Sequence, residues 1–175
     1  MPLSDWLQAA AGSATPAQQA LLDELGEMLD GLEPVALDRS RSRLTWAPAD
    51  YDKGHLAAVV TLEHLRRPDW SVRIEAESRS AVIYWLSAHE HVDETDGWDD
   101  RTWTTVVVDA IAAILRGEYE VEEITRLGRW YKTRIFDVAD PANPEWFRSS
   151  GPLWFWLLRP FPATVTRRRL DFTST

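Results

Sequence analysis

Between residues 41 and 89 the chain alternates apolar and polar residues with a period of two, and the breaks between these segments are short. This spacing constrains the fold more than any other feature. Parallel neighbours need a crossover of about a dozen or more residues, whereas antiparallel neighbours are joined by short turns. Arg41–Trp46 alternates charged residues with Leu44 and Trp46. His55–Leu65 is rich in Ala, Val and Leu, and Arg66-Arg67-Pro68-Asp69 turns the chain. Trp70, Val72, Ile74 and Ala76 then point one way while Ser71, Arg73, Glu75 and Glu77 point the other, the pattern of a strand with one wet face. Ser80–His89 carries Val82, Tyr84 and Leu86 on one face and Ile83 and Trp85 on the other, as expected of a central strand.

Helical spacing flanks these strands. Ser4–Ala11 forms a short turn, broken by Gly12 and Ser13. Thr15-Pro16 supplies an N-cap and first position for an amphipathic helix over 16–31, with Leu21, Leu22, Leu25, Met28, Leu29 and Leu32 as its stripe. A second helix, capped by Asp99 or Asp100, buries Trp103, Val106, Val107, Ala110, Ile111, Ile114 and Leu115 and ends at Gly117. Glu118–Arg126 and Arg129–Val138 follow as a hairpin joined at Gly128, and Thr164–Phe172 as an edge strand. The expected fold is one α+β domain over residues 1–175. It has two layers: a mainly antiparallel sheet of about six strands with helices on one face, and an irregular aromatic C-terminal tail.

The 45% hydrophobic and 27% charged composition is that of a globular chain, and 175 residues bury a core without staples. The absence of cysteine excludes disulfides, thiol catalysis and thiolate metal sites. Met1-Pro2-Leu3-Ser4-Asp5-Trp6 shows neither a basic n-region nor an apolar h-region, so a cytoplasmic protein is expected. The apolar runs Ser80–Ala88 and Gly151–Leu158 fall far short of the about 20 residues of a membrane span. Trp154-Phe155-Trp156-Leu157-Leu158 with Arg159 suggests membrane-surface contact, but Pro152, Pro160 and Pro162 forbid a continuous helix, so packing of this tail on the sheet is expected.

Charge is segregated. Residues 89–123 hold 2 basic and 11 acidic side chains, whereas residues 124–175 hold 9 basic and 4 acidic. The net charge of −9 argues against nucleic acid, which a run of only Arg167-Arg168-Arg169 does not overturn. It favours steering of a partner with a basic surface.

Chemistry-bearing motifs are few. His89 and His91, at i and i+2, project to one side of a strand end, a geometry that suits two metal ligands, with Asp93 as a third. The apolar strand running into His-x-His-x-Asp resembles the first metal motif of metallo-β-lactamase-type hydrolases. Glu94 stands where that motif closes with histidine, however, and no histidine follows His91. This leaves a small metal-dependent or small-molecule enzyme centred on His89 and His91 as the alternative reading. No Gly-x-Ser-x-Gly, Gly-x-Gly-x-x-Gly or P-loop pattern is present, so no catalytic residue and no cofactor is expected. The ten tryptophans mostly suit a core, but Trp98 sits in an acidic stretch with no periodicity to bury it. Asp93, Glu94, Asp96, Trp98, Asp99 and Asp100 are therefore the expected partner-binding residues, an aromatic anchor ringed by carboxylates.

Leu65-Arg66-Arg67-Pro68-Asp69-Trp70-Ser71-Val72-Arg73-Ile74 resembles a segment of small immunity proteins from bacterial polymorphic-toxin systems, which carry a Leu-x-x-Pro-x-Trp-Ser-Val-x-Ile strand start. Asp52, His55 and Thr61-Leu62 are compatible with it, and the likeness covers about 25 of 175 residues. It implies a cytoplasmic inhibitor, immunity-type or chaperone-like, that binds a cognate protein such as a toxin and performs no chemistry. It points to no functional residue and no oligomeric state.

Overall fold

A reciprocal cap starts the first helix, α1 (Pro16–Leu32). Thr15 Oγ1 accepts from the Gln18 N–H at 3.3 Å, and Gln18 Oε1 accepts from the Thr15 N–H at 2.9 Å. The Gln18 amide nitrogen then donates to the Leu56 and Ala76 carbonyls at 2.8 and 2.9 Å, fastening the helix to two strand ends. Leu21, Leu22, Leu25 and Leu29 are buried, so the apolar stripe expected from the spacing faces the core. The computed structural model describes residues 7, 14–32, 36–50, 53–67, 69–97, 100–139, 149–150 and 160–173. Of the expected helical turn at Ser4–Ala11 only Leu7 is described, and it is buried. Asp140–Pro144, Trp146, Phe147 and the aromatic tail at Trp154–Leu158 lie outside the described residues.

Five strands follow: β1 (Arg43–Pro48), β2 (Leu56–Glu63), β3 (Ser71–Ala76), β4 (Ser80–Trp85) and β5 (Ala88–Asp93). They pair antiparallel in sequence order, so each strand's neighbours in space are its neighbours along the chain. The segment expected to run unbroken through Ser80–His89 is two strands. The chain reverses at Leu86-Ser87, with Leu86 held at φ 50°, a conformation that its side chain disfavours. The registers Ala58↔Ala76↔Ala81↔Val92 and Leu62↔Val72↔Trp85↔Ala88 place one apolar row per strand on a common face. These residues share a core with the leucines of α1 and with Trp103, Val107, Ile111 and Leu115 of α2 (Trp103–Leu115), so both helices cover that face. Trp70, Val72, Ile74, Ile83 and Trp85 meet the expectation of core packing, Trp70 half-buried and the others buried. Thr102, not Asp99 or Asp100, caps α2, its hydroxyl accepting from the Thr105 N–H.

The remaining strands do not extend this sheet. β6 (Tyr119–Arg126) pairs with β7 (Arg129–Asp137) across Leu127-Gly128, and on its other side with β9 (Ala163–Arg169). The two-residue β8 (Ser149–Ser150) lies on the outer edge of β7. The α+β class therefore holds, but the expected single sheet of about six strands is a five-stranded sheet plus a second, smaller antiparallel sheet. Pairing partners are set by long-range packing, which period-two patterning leaves open. Val121 and Ile135 of the second sheet join the same core, and the Thr133 hydroxyl meets Ser87 at the β4–β5 turn.

Past β9, Leu170 and Phe172 return to the core. The Phe172 N–H donates to the Leu115 carbonyl at 2.8 Å, and its own carbonyl accepts from the Ala36 N–H at 3.0 Å. The ring meets His64 edge-on with centroids 5.0 Å apart, and His64 in turn meets Trp70 at 5.4 Å. His64 Nδ1 accepts from the Arg66 N–H at 3.1 Å, which requires that nitrogen to be unprotonated. Burial holds the His64 pKa below its ordinary value; a hydrogen bond to the Asp171 backbone opposes this, and the charges of Arg67 and Arg66 reinforce it. A depressed histidine stabilises the fold fully above its unfolded pKa of about 6.5, and loses that contribution as pH falls below it. His89 is lowered too, by burial and then by His91, and acts in the same direction. Asp38, held at about 2, and Asp93, also lowered, act only at more acid pH. The urea midpoint is therefore expected to fall between about pH 7.5 and pH 5, with part of that slope removed in His64→Gln. A midpoint flat across this range contradicts a neutral, buried His64.

Candidate functional site

The second face of the five-stranded sheet carries the chemistry. By register, His89 pairs with Tyr84, His91 with Val82 and Asp93 with Ser80, and Tyr84 and Val82 pair in turn with Arg73 and Glu75. These side chains share the face away from the helices, because alternation sends Ala88 and Val92 to the core. His89 and His91, expected at a strand end, sit inside β5. Their rings stand 5.3 Å apart edge-to-face, and Tyr84 lies 6.0 Å from His89. Burial raises the Tyr84 pKa, and the nearby Glu75 charge adds to the shift.

The acidic stretch after β5 is ordered by its own hydrogen bonds. Asp93 caps a single 3-10 turn, Glu94–Asp96, by accepting from the Thr95 N–H at 2.9 Å and the Thr95 hydroxyl at 2.8 Å. Asp96 reaches back to the Asp93 N–H, also at 2.9 Å, and Glu94 lies 3.7 Å from Arg79. Asp100 is exposed beyond the turn, while Trp98 and Asp99 lie outside the described residues. Both Thr95 bonds fall on Asp93 Oδ1. Among the described residues no group of three or more histidines and carboxylates is placed to hold a metal ion.

The fold adds residues that the sequence reading left out. Asp50 in the β1–β2 connection, Glu75 on β3 and Glu77 in the β3–β4 turn line two adjoining depressions at the sheet end that also carries Asp93. The buried Ala57, Val59 and Val82 also line them, with Tyr84 and His91 in one and Arg73 in the other. The Asp50 N–H donates to Glu77 Oε1 at 2.8 Å, and the Tyr84 hydroxyl lies 3.5 Å from Glu75. Six carboxylates, from Asp50, Glu75, Glu77, Asp93, Glu94 and Asp96, thus belong to one end of the sheet and its turns, against the cations Lys53, Arg73 and Arg79. A short local signal for Glu75 and Glu77 existed in the polar face of the Trp70–Glu77 alternation, but nothing local joined it to residue 93. The arrangement can hold a cationic side chain, its stem beside the Tyr84 ring and its charge against carboxylates.

No family model matches the chain, and no curated protein or solved structure matches it significantly. Among the described residues, no helix is long and apolar enough to cross a membrane.

Proposed function

We propose that the chain is a protein-binding module of the cytoplasm. In this reading it is an immunity-type inhibitor or chaperone-like partner that neutralises or escorts a cognate protein with a basic surface, such as a toxin, and does no chemistry itself. The observation that carries this reading is the gathering of Asp50, Glu75 and Glu77 with Asp93, Glu94 and Asp96 at one end of the five-stranded sheet. Clustered carboxylates raise the rate of encounter with a basic partner, and the exposed Tyr84 ring supplies aromatic area to bury on docking.

The partner is to be isolated on the tagged protein from its native host and its binding measured at several salt concentrations. Replacing Asp93, Glu94 and Asp96 by Ser, together with Glu75→Gln, is expected to lower the on-rate about tenfold and flatten its salt dependence. A change below about 0.5 kcal/mol in binding places the interface elsewhere. A thermal-shift series with divalent metals separates the alternative. Stabilisation by a metal that is lost in His89→Ala and His91→Ala supports an enzyme centred on these histidines and counts against the binding module.

A further inference from the structure

His64 joins three parts of the chain that lie far apart in sequence. The residue is 7% exposed, and its ring meets those of Trp70 and Phe172. Nδ1 accepts from the Arg66 N–H at 3.1 Å, and the ring is also hydrogen-bonded to the backbone at Asp171. The backbone of His64 is fixed separately: its N–H donates to the Trp70 carbonyl at 3.0 Å, and its carbonyl accepts from the Arg41 guanidinium at 2.8 Å. Ala36 links the neighbours of the ring. Its carbonyl accepts from the Leu65 N–H at 2.7 Å, and its N–H donates to the Phe172 carbonyl at 3.0 Å.

A proton on Nδ1 turns this acceptor into a donor. It then faces the Arg66 N–H, two donors with no acceptor between them. The surrounding charge adds to the conflict. Arg66 and Arg67 face the ring from the β2–β3 connection, whereas Asp171 faces it from the C-terminal segment, with Oδ1 already accepting from the Thr173 N–H and hydroxyl. Arg41 and Asp38, on the approach to β1, are paired with each other at 2.6 Å. Strand β2 cannot give way easily, because β1 and β3 hold it on both sides. Leu170–Thr173 is tied less firmly, by two backbone bonds of Phe172 and by the burial of Leu170 and Phe172, so this segment yields first.

We propose that His64 is a pH latch, whose protonation releases Leu170–Thr173 from the β2–β3 connection and the end of α2 while the five-stranded sheet stays paired. The opened state carries a solvated histidine with an ordinary pKa of about 6.5. Relative to the closed state, whose ring stays neutral, its population rises about tenfold between pH 7.5 and pH 5.5. The latch operates whether or not the acidic sheet end binds a partner.

Native-state hydrogen exchange of the full chain, read by NMR in a series of low urea concentrations and corrected for the intrinsic pH dependence of exchange, tests this. The Phe172 and Ala36 amides report the opening, and the Ile74 amide inside β3 reports global unfolding. Phe172 and Ala36 are expected to exchange faster than Ile74 with a much smaller urea dependence, and to lose about tenfold in protection from pH 7.5 to pH 5.5. His64→Gln keeps a donor and an acceptor but no titration, and should abolish that loss. Protection and urea dependence equal to those of Ile74 overturn the proposal, because the segment then opens only when the whole chain unfolds. Protection at Phe172 and Ala36 that is flat with pH overturns it, as does a loss that persists in His64→Gln. The unmutated protein supplies a further check. Its His64 ring nitrogens should keep the chemical shifts of a neutral ring down to pH 5.5, and a ring that titrates near pH 6.5 with the segment still closed also overturns the latch.

Discussion

Phe172→Ala is expected to cost about 3–5 kcal/mol of unfolding free energy, the range for removing a large buried aromatic from a packed site. The side chain has no solvent exposure, and its contacts come from parts of the chain far apart in sequence. Its backbone ties the last turn of α2 at Leu115 to Ala36, and its ring rests on His64. Those partners are held by their own backbone hydrogen bonds and cannot collapse into the space, so the loss should lie toward the upper end of the range. Nor is the approach to this segment forgiving. Gly117 sits at φ 70°, and a Cβ there would come within 2.7 Å of the Leu170 carbonyl oxygen. Urea denaturation reads the effect directly, and Phe172→Leu should recover more than half of it by refilling the volume. A loss under about 1 kcal/mol would mean that the segment lies on the core without completing it.

Trp85→Ala should be comparably damaging, about 3–5 kcal/mol, because the indole is 3% exposed on the face covered by the helices. The more telling substitution is Trp85→Phe. Among the described residues the buried indole Nε1–H has no hydrogen-bond partner, and a buried orphan donor costs about 1–3 kcal/mol. Phenylalanine gives up part of the buried area but also removes that donor. The two effects oppose each other, and the net change should stay under about 1.5 kcal/mol. A Trp85→Phe loss as large as that of Trp85→Ala would show that the Nε1–H is satisfied after all.

Much of the fold was legible because local physics dictates it. The stripe of Leu21, Leu22, Leu25 and Leu29, the alternation through Val72, Ile74 and Ala76, and the Gly128 hairpin each carry their own signal. The turn at Leu86-Ser87 carried none, since neither residue favours a positive φ, so the two histidines, expected at a strand end, lie inside a further strand. Asp99 or Asp100 was expected to cap α2, yet Thr102, nearer the helix, does so. The division into two sheets was illegible for a different reason. β6 takes β7 and β9 as neighbours, and β9 lies about forty residues further along the chain, a pairing that no local pattern encodes. The candidate site suffered from the same limit. Asp93, Glu94 and Asp96 were visible as a charge run, whereas Asp50, Glu75 and Glu77 join them only when three connections fold to the same sheet end.

The five-stranded sheet has a consequence for how the chain reaches its native state. Because β1 to β5 pair strictly in sequence order, every ladder in that sheet closes a short loop, and such contacts form early at small entropic cost. The contacts of Phe172 with His64 and Ala36 close loops of more than a hundred residues, and these cost the most to bring together. The hairpin meander is thus the natural nucleus and the Phe172 contacts a late event. Weakening them should hasten unfolding while leaving the refolding rate almost untouched, so this part of the core governs how long the native state lasts and not how soon it forms.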